Sequence, residues 1–83
     1  MKFKNFQLEA VNKKFPALKD RILPLYQVDV DFRAICEDYY TCISYLKKLR
    51  KESVDKRNQI KEYEKALADL EKELQERIEK NKE

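Results

Sequence analysis

The chain has 83 residues, of which 42% are charged, and its formal net charge is +3. A chain of this length forms at most one domain with a small core, so we expect a single domain over residues 1–83 that gains from packing against a second chain. It contains no glycine and no histidine. These absences exclude glycine-rich phosphate loops and remove the commonest general base and metal ligand. We therefore expect no metal, no cofactor and no enzymatic activity.

The same composition bears on location. The beginning of the chain lacks the apolar stretch of a secretion signal, and no run approaches the length of a membrane span. On a helix, the side chains of Cys36 and Cys42 point in directions about 120° apart around the axis, so the two cannot form an internal disulfide. Two thiols without a disulfide framework are typical of a reducing compartment. The sequence predicts a cytoplasmic protein without a membrane span.

Two short helices are predicted over residues 3–27. Apolar side chains recur at helical spacing over residues 3–14, so we expect the first helix there, ending before Pro16. The second helix holds Pro16 in its first turn. Its expected apolar face consists of Leu18, Ile22 and Leu25. Because Pro24 lacks a backbone donor, we predict a kink or a stop within residues 22–27.

A heptad pattern dominates the rest of the chain, and we call its inward positions the seam. They are Phe32, Ile35, Tyr39, Cys42, Leu46, Leu49, Ser53, Lys56, Ile60, Tyr63, Leu67, Leu70, Leu74 and Arg77. The apolar run breaks once, at Ser53 and Lys56. If the chain folds back there, Phe32 lies near Leu74. The pattern thus predicts an all-α fold, in which two short helices precede a long antiparallel, coiled-coil-like hairpin over residues 29–52 and 54–81. The alternative is one continuous helix of about 50 residues that dimerises along its seam.

Acidic residues mark the start of the first long helix. Asp29 is its predicted N-cap, and Asp31 lies where the helix dipole favours negative charge. Glu37 and Asp38 complete an acidic group whose expected roles are capping and solvation. Ser53 is the predicted cap of the second long helix. Because basic residues gather at the opposite end of the first helix, the charges also suit antiparallel association of two subunits.

Two tyrosines and a cysteine of the seam are expected in the core. Tyr39 and Tyr63 should be buried with their hydroxyl groups at the rim, and Cys42 should be a small buried apolar group. Cys36 lies at the edge of the seam, where partial exposure is expected. The two acidic residues that follow it should raise its pKa, which argues against a nucleophilic role.

Seven cations surround the break in the seam, and we call them the basic tip. They are Lys47, Lys48, Arg50, Lys51, Lys56, Arg57 and Lys61. Between residues 47 and 61 only Glu52 and Asp55 oppose them. The basic tip is either a solvated turn or a surface for nucleic-acid phosphates, an anionic membrane or an acidic protein. No aromatic residue lies within it, so nucleic-acid binding would be led by phosphate contacts.

Tyr40 and Tyr45 lie off the seam of the same helix. Tyrosine offers a large apolar area with a polar tip, which suits a contact patch for another protein or a second subunit. The alternative is that these two side chains cover the N-terminal helices. Both uses compete for the same surface.

The segment FRAICEDY over residues 32–39, with Cys42 and the later Glu62-Tyr63, resembles a group of small uncharacterised bacterial proteins. They look like relatives of the YdcH-type helical-hairpin family, in which a Phe-Pro segment, here Phe15-Pro16, leads into two paired helices. The resemblance covers about Phe15 to Leu74. It implies a helical hairpin and no catalytic role for these residues. This chain departs from the family in having no proline between the two long helices.

Together these features predict a small, non-catalytic helical-hairpin module that serves protein–protein interaction or a structural role. We expect it to act as a homodimer or with another protein. The alternative is a binder of nucleic acid or anionic surfaces through the basic tip.

Overall fold

The computed structural model describes residues 5–52 and 56–80. These residues form helices joined by short connections, with no strand among them, so the predicted all-α class is confirmed. The elements are α1 (Phe6–Lys14), a 3₁₀ turn (Pro16–Leu18), α2 (Lys19–Val28), α3 (Val30–Lys51) and α4 (Arg57–Lys80). None of these helices has the length and apolar content needed to cross a bilayer.

Hydrogen bonds fix the beginning of α1. The side chain of Asn5 accepts a hydrogen bond from the backbone N–H of Leu8 at 2.9 Å and so caps the helix. Tyr26 of α2 joins this end, because its hydroxyl oxygen accepts from Asn5 Nδ2 at 3.0 Å and its O–H donates to Gln7 Oε1 at 3.2 Å. The predicted start at Phe3 lies outside the described residues.

The two prolines act differently. Pro16 occupies the first position of the 3₁₀ turn, and α1 ends before it as predicted. Pro24 lies inside α2, which continues past it, so the stop expected within residues 22–27 is absent. Proline costs this helix one backbone hydrogen bond. On either side of it, Ile22 and Leu25 are buried in the core, and their burial offsets that loss.

Helix α3 has a defined beginning and end. Asp29 Oδ1 accepts a hydrogen bond from the backbone N–H of Phe32 at 3.1 Å, which confirms Asp29 as the N-cap. The helix ends before Glu52, whose backbone is extended, with φ −75° and ψ 142°. Helices α3 and α4 are therefore separate elements rather than one continuous helix. The predicted cap of the second helix, Ser53, lies outside the described residues.

Contacts between α3 and α4 follow a reversed order along the two helices. They are Asp29 Oδ2 to Arg77 Nη1 at 3.8 Å, Tyr39 O–H to Glu71 Oε2 at 3.2 Å, Cys42 Sγ to the Tyr63 carbonyl oxygen at 3.4 Å, and Arg50 Nη2 to Glu64 Oε2 at 2.7 Å. Early residues of α3 thus contact late residues of α4, and late residues contact early ones. Helices α1 and α2 pack on α3 as well.

The main core lies where all four helices meet. Its buried residues are Val11, Ile22, Leu25, Phe32, Ile35, Cys36, Tyr39, Leu74 and Ile78. Toward the break between α3 and α4, the seam of α3 remains buried at Leu46 and Leu49. The facing residues of α4 are only partly covered: Ile60, Leu67 and Leu70. We call residues 47–52, at the end of α3, and residues 56–66, at the beginning of α4, the two-helix end.

Two predictions about burial are wrong. Tyr63, expected in the core, is 37% exposed because it lies in the two-helix end. Cys36, expected to be partly exposed, is 0% exposed. It belongs to the same buried cluster as Val11 and Ile22, which the two short helices contribute. Burial in each case depends on where α1 and α2 pack.

Candidate functional site

The basic tip lies at the two-helix end. Four of its members belong to the last turns of α3 and three to the connection and first turns of α4: Lys47, Lys48, Arg50, Lys51, Lys56, Arg57 and Lys61. All are exposed except Lys56, which is partly covered. Cations in the last turn of a helix also interact favourably with its dipole, so this charge has a structural reason as well.

Carboxylates neutralise part of the basic tip. Arg50 pairs with Glu64 at 2.7 Å, and Lys56 pairs with Glu52 at 3.3 Å. Glu64 lies beyond residues 47–61, so a count of charges along that segment misses it. Four lysines make no ion pair with another residue of 5–52 or 56–80: Lys47, Lys48, Lys51 and Lys61. The positive field is therefore weaker than the sequence suggests, yet several charges remain available.

The two off-seam tyrosines contact different helices. Tyr40 is half-buried and stacks on Phe6 of α1, with ring centroids 6.2 Å apart and an angle of 18° between the rings. Tyr45 packs on Tyr63 of α4, with centroids 4.7 Å apart and rings tilted by 58°. Five residues of helix turn Tyr45 about 140° away from Tyr40. The structure therefore does not bring Tyr40 and Tyr45 together in one patch.

Tyr45 and Tyr63 form an aromatic pair that is open to solvent. Each is 37% exposed, although both are large and mainly apolar. A tilted aromatic pair at this distance stabilises the contact between α3 and α4. The sequence did not suggest this pair because Tyr63 was counted as a core residue. Exposure of Tyr63 follows from the position of α1 and α2, which leave the first half of the α4 seam partly uncovered, and helical spacing does not contain that information.

The tyrosine pair lies within a wider surface, which we call the tyrosine face. On α3, residues within an arc of about 80° share the direction of Tyr45. They are Val30, Ala34, Asp38, Thr41, Tyr45 and Lys48, and all are exposed. On α4, Ala66 and Leu70 lie within about 60° of Tyr63. Because α1 packs on the Tyr40 side of α3, it leaves this face uncovered.

Both cysteines are buried free thiols. Burial raises the pKa of Cys36 to about 12. Burial and the nearby Glu71 carboxylate raise the pKa of Cys42. The prediction attributed the shift at Cys36 to the two acidic residues beside it, whereas the cause is desolvation. Both thiols are protonated near neutral pH, so neither is a ready nucleophile.

Glu71 joins three helices. Its Oε2 accepts the hydrogen bond from the Tyr39 hydroxyl at 3.2 Å and lies 3.5 Å from Lys14 Nζ of α1. Burial and the Glu71 carboxylate raise the pKa of Tyr39, so its O–H stays in place as a donor. The arrangement satisfies a buried hydroxyl and holds α1 and α4 against α3.

The four acidic residues near the start of α3 differ in their contacts. One oxygen of Asp29 caps α3 and the other lies 3.8 Å from Arg77 of α4. Asp31, Glu37 and Asp38 are exposed. Asp29 stabilises the beginning of α3, and the three exposed carboxylates interact with solvent. Asp29 and Asp31 also line an open depression together with Arg77 of α4.

The exposed surface of the described residues carries aromatic and basic side chains, and both thiols lie beneath it. In residues 5–52 and 56–80, no group of three His, Cys, Asp or Glu side chains could hold a metal ion. The thiols are buried and protonated, whereas the aromatic pair and several lysines are exposed. Comparison of the chain with protein-family models, with curated proteins and with solved structures gave no match.

Proposed function

We propose that this chain is a small non-catalytic interaction module built on a helical hairpin of α3 and α4. One observation carries the proposal: Tyr45 and Tyr63 form a tilted aromatic pair on an uncovered face, each 37% exposed. Tyrosine is enriched at protein interfaces because it buries a large apolar area and keeps a polar tip. The partner is a second copy of the chain or another protein.

The antiparallel hairpin is part of this proposal. The reversed order of contacts between α3 and α4 supports it, and the resemblance to the YdcH-type family implies the same arrangement. Two free thiols support a reducing location such as the bacterial cytoplasm. A pair of packed helices also suits binding, because helical contact residues lose less conformational entropy on association than residues of an unfolded segment.

The proposal is tested by capture of companions from a lysate of the host at low salt, with and without nuclease. We expect specific proteins to remain after nuclease treatment. The double variant Tyr45→Glu, Tyr63→Glu should lose them, since it places two charges on the contact face. Gln27→Glu, at an exposed position of α2, is the matched control and should retain them. The proposal fails if nuclease removes all captured material or if the double variant captures as much as wild type.

A second candidate function is binding to nucleic acid or another anionic surface through the basic tip. The observation in its favour is that Lys51 and Lys61 are exposed and make no ion pair with another described residue. Binding led by phosphate contacts weakens steeply with salt and varies little with sequence. Titration of duplex DNA and of anionic vesicles at several salt concentrations measures this. Charge reversal at Lys51 and Lys61 should abolish such binding, whereas unchanged binding would contradict this function.

A further inference from the structure

We propose that the tyrosine face is the interface of an antiparallel homodimer with a twofold axis beside Tyr45 and Tyr63. This rests on the proposed function and names the partner as a second copy of the chain. A chain of this size has a small core, and pairing of two copies would cover the residues that α1 and α2 leave open. In a twofold dimer the same patch serves both subunits, so the patch must be complementary to itself.

The shape of the tyrosine face suits close approach. The tyrosine pair supplies large side chains at its centre, and three small residues lie on the same face: Ala34, Thr41 and Ala66. Val30 extends the apolar strip along α3 and is 68% exposed. Small residues allow helices to pack at short distance, and the central tyrosines supply area that loses contact with water on association.

Charge on the α3 part of this face is self-complementary. Asp38 and Lys48 are its charged members, and neither makes an ion pair with another described residue. They are ten residues apart, or about 15 Å along the helix. In an antiparallel pair whose axis passes midway between them, Asp38 of each copy faces Lys48 of the other. Two identical ion pairs then form across the interface.

The position of that axis agrees with the aromatic pair. The midpoint between Asp38 and Lys48 falls one residue after Cys42, whose thiol donates to the Tyr63 carbonyl oxygen at 3.4 Å. The midpoint is therefore level with Tyr63 on α4, and Tyr45 lies two residues farther along α3. Charge complementarity and apolar area thus indicate the same centre.

The wider charge distribution favours the antiparallel orientation. Acidic residues predominate at the start of α3, and basic residues predominate at its end. Two antiparallel copies place each acidic start beside a basic end, whereas parallel copies would place like charges together. Because these charges are exposed, added salt should weaken the dimer.

Sedimentation velocity of the full chain over a concentration series at low salt tests this inference. We expect wild type to dimerise reversibly. Lys48→Asp and Asp38→Lys should each weaken the homodimer by about tenfold, since each turns two attractions into two repulsions. An equimolar mixture of the two variants should restore dimerisation, because the heterodimer regains both ion pairs. Lys47→Asp is the matched control on the α1 side of α3 and should dimerise like wild type.

The outcomes separate this inference from the proposed function. If wild type is monomeric at the highest concentration while specific proteins remain in the lysate capture, the module binds another protein and the homodimer is refuted. If wild type dimerises but the mixture does not restore the affinity, or Lys47→Asp weakens it as much as Lys48→Asp, the antiparallel tyrosine-face interface is refuted. Circular dichroism of each variant verifies that the helices are retained.

Discussion

Truncation of Leu74 should destabilise this protein far more than the same truncation at Leu67. Both leucines lie on the seam of α4, but Leu74 is 0% exposed among four helices and Leu67 is partly covered. Complete burial makes Leu→Ala cost about 2–5 kcal/mol. For Leu67→Ala, with part of the side chain already in water, we expect about 1–2 kcal/mol. The two substitutions share their helix propensity, so that contribution cancels.

The size of the effect can be compared with the whole fold. At roughly 0.05–0.15 kcal/mol per residue, a chain of 83 residues has a free energy of unfolding of about 4–12 kcal/mol. A loss of about 3 kcal/mol at Leu74 should lower Tm by roughly 12–24 °C. Urea denaturation followed by circular dichroism, with the midpoint compared at constant slope, measures both variants. Equal losses at Leu67 and Leu74, or a larger loss at Leu67, would refute the unequal burial of α4.

Three further predictions concern single side chains. Asp29→Ala should lower the free energy of unfolding by about 1 kcal/mol, whereas Asp29→Asn should recover most of it because the amide oxygen still caps α3; equal losses in urea denaturation would mean that the Arg77 ion pair dominates. Burial raises the pKa of Cys36 from 9.0 to about 12, so the thiol ionises at lower pH in the unfolded chain than in the folded one. The free energy of unfolding should therefore fall as pH rises above about 9. The fall should be less steep in the variant Cys36→Ala. Tyr39→Phe removes the O–H that donates to Glu71 and should cost about 1 kcal/mol in the same assay; an unchanged midpoint would show that this hydrogen bond contributes nothing.

Sequence periodicity predicted α3 better than α4. On α3 the seam from Phe32 to Leu49 is buried at each position. On α4 the heptad series ends at Arg77, which is half-buried, whereas the next residue, Ile78, is fully buried and was missed. A straight α-helix has 3.6 residues per turn, whereas a heptad pattern assumes 3.5. Positions counted in strict heptads therefore drift by about 20° per repeat from the buried stripe. The error therefore accumulates toward the end of the chain.

The candidate site depended on information that helical spacing does not contain. Spacing correctly separates Tyr40 from the seam, but it does not say that Phe6 of α1 would cover it. The same limit applies to Tyr63, whose 37% exposure depends on tertiary packing and not on its heptad position. The charges show a related effect, because Glu64 reaches back across the helix pair to Arg50. Which edge of a seam is covered is decided by tertiary packing.

The unequal anchoring of α4 has a consequence for local unfolding. Residues 70–80 of α4 hold Leu74 and Ile78 in the main core, whereas residues 57–66 are exposed except for the partly covered Ile60. Segments with fewer buried contacts open at lower free energy than the molecule as a whole. Amide hydrogen exchange should thus be fastest in the first turns of α4 and slow progressively toward Ile78. A protease should first cut the chain at the two-helix end, leaving the four-helix core as the resistant fragment.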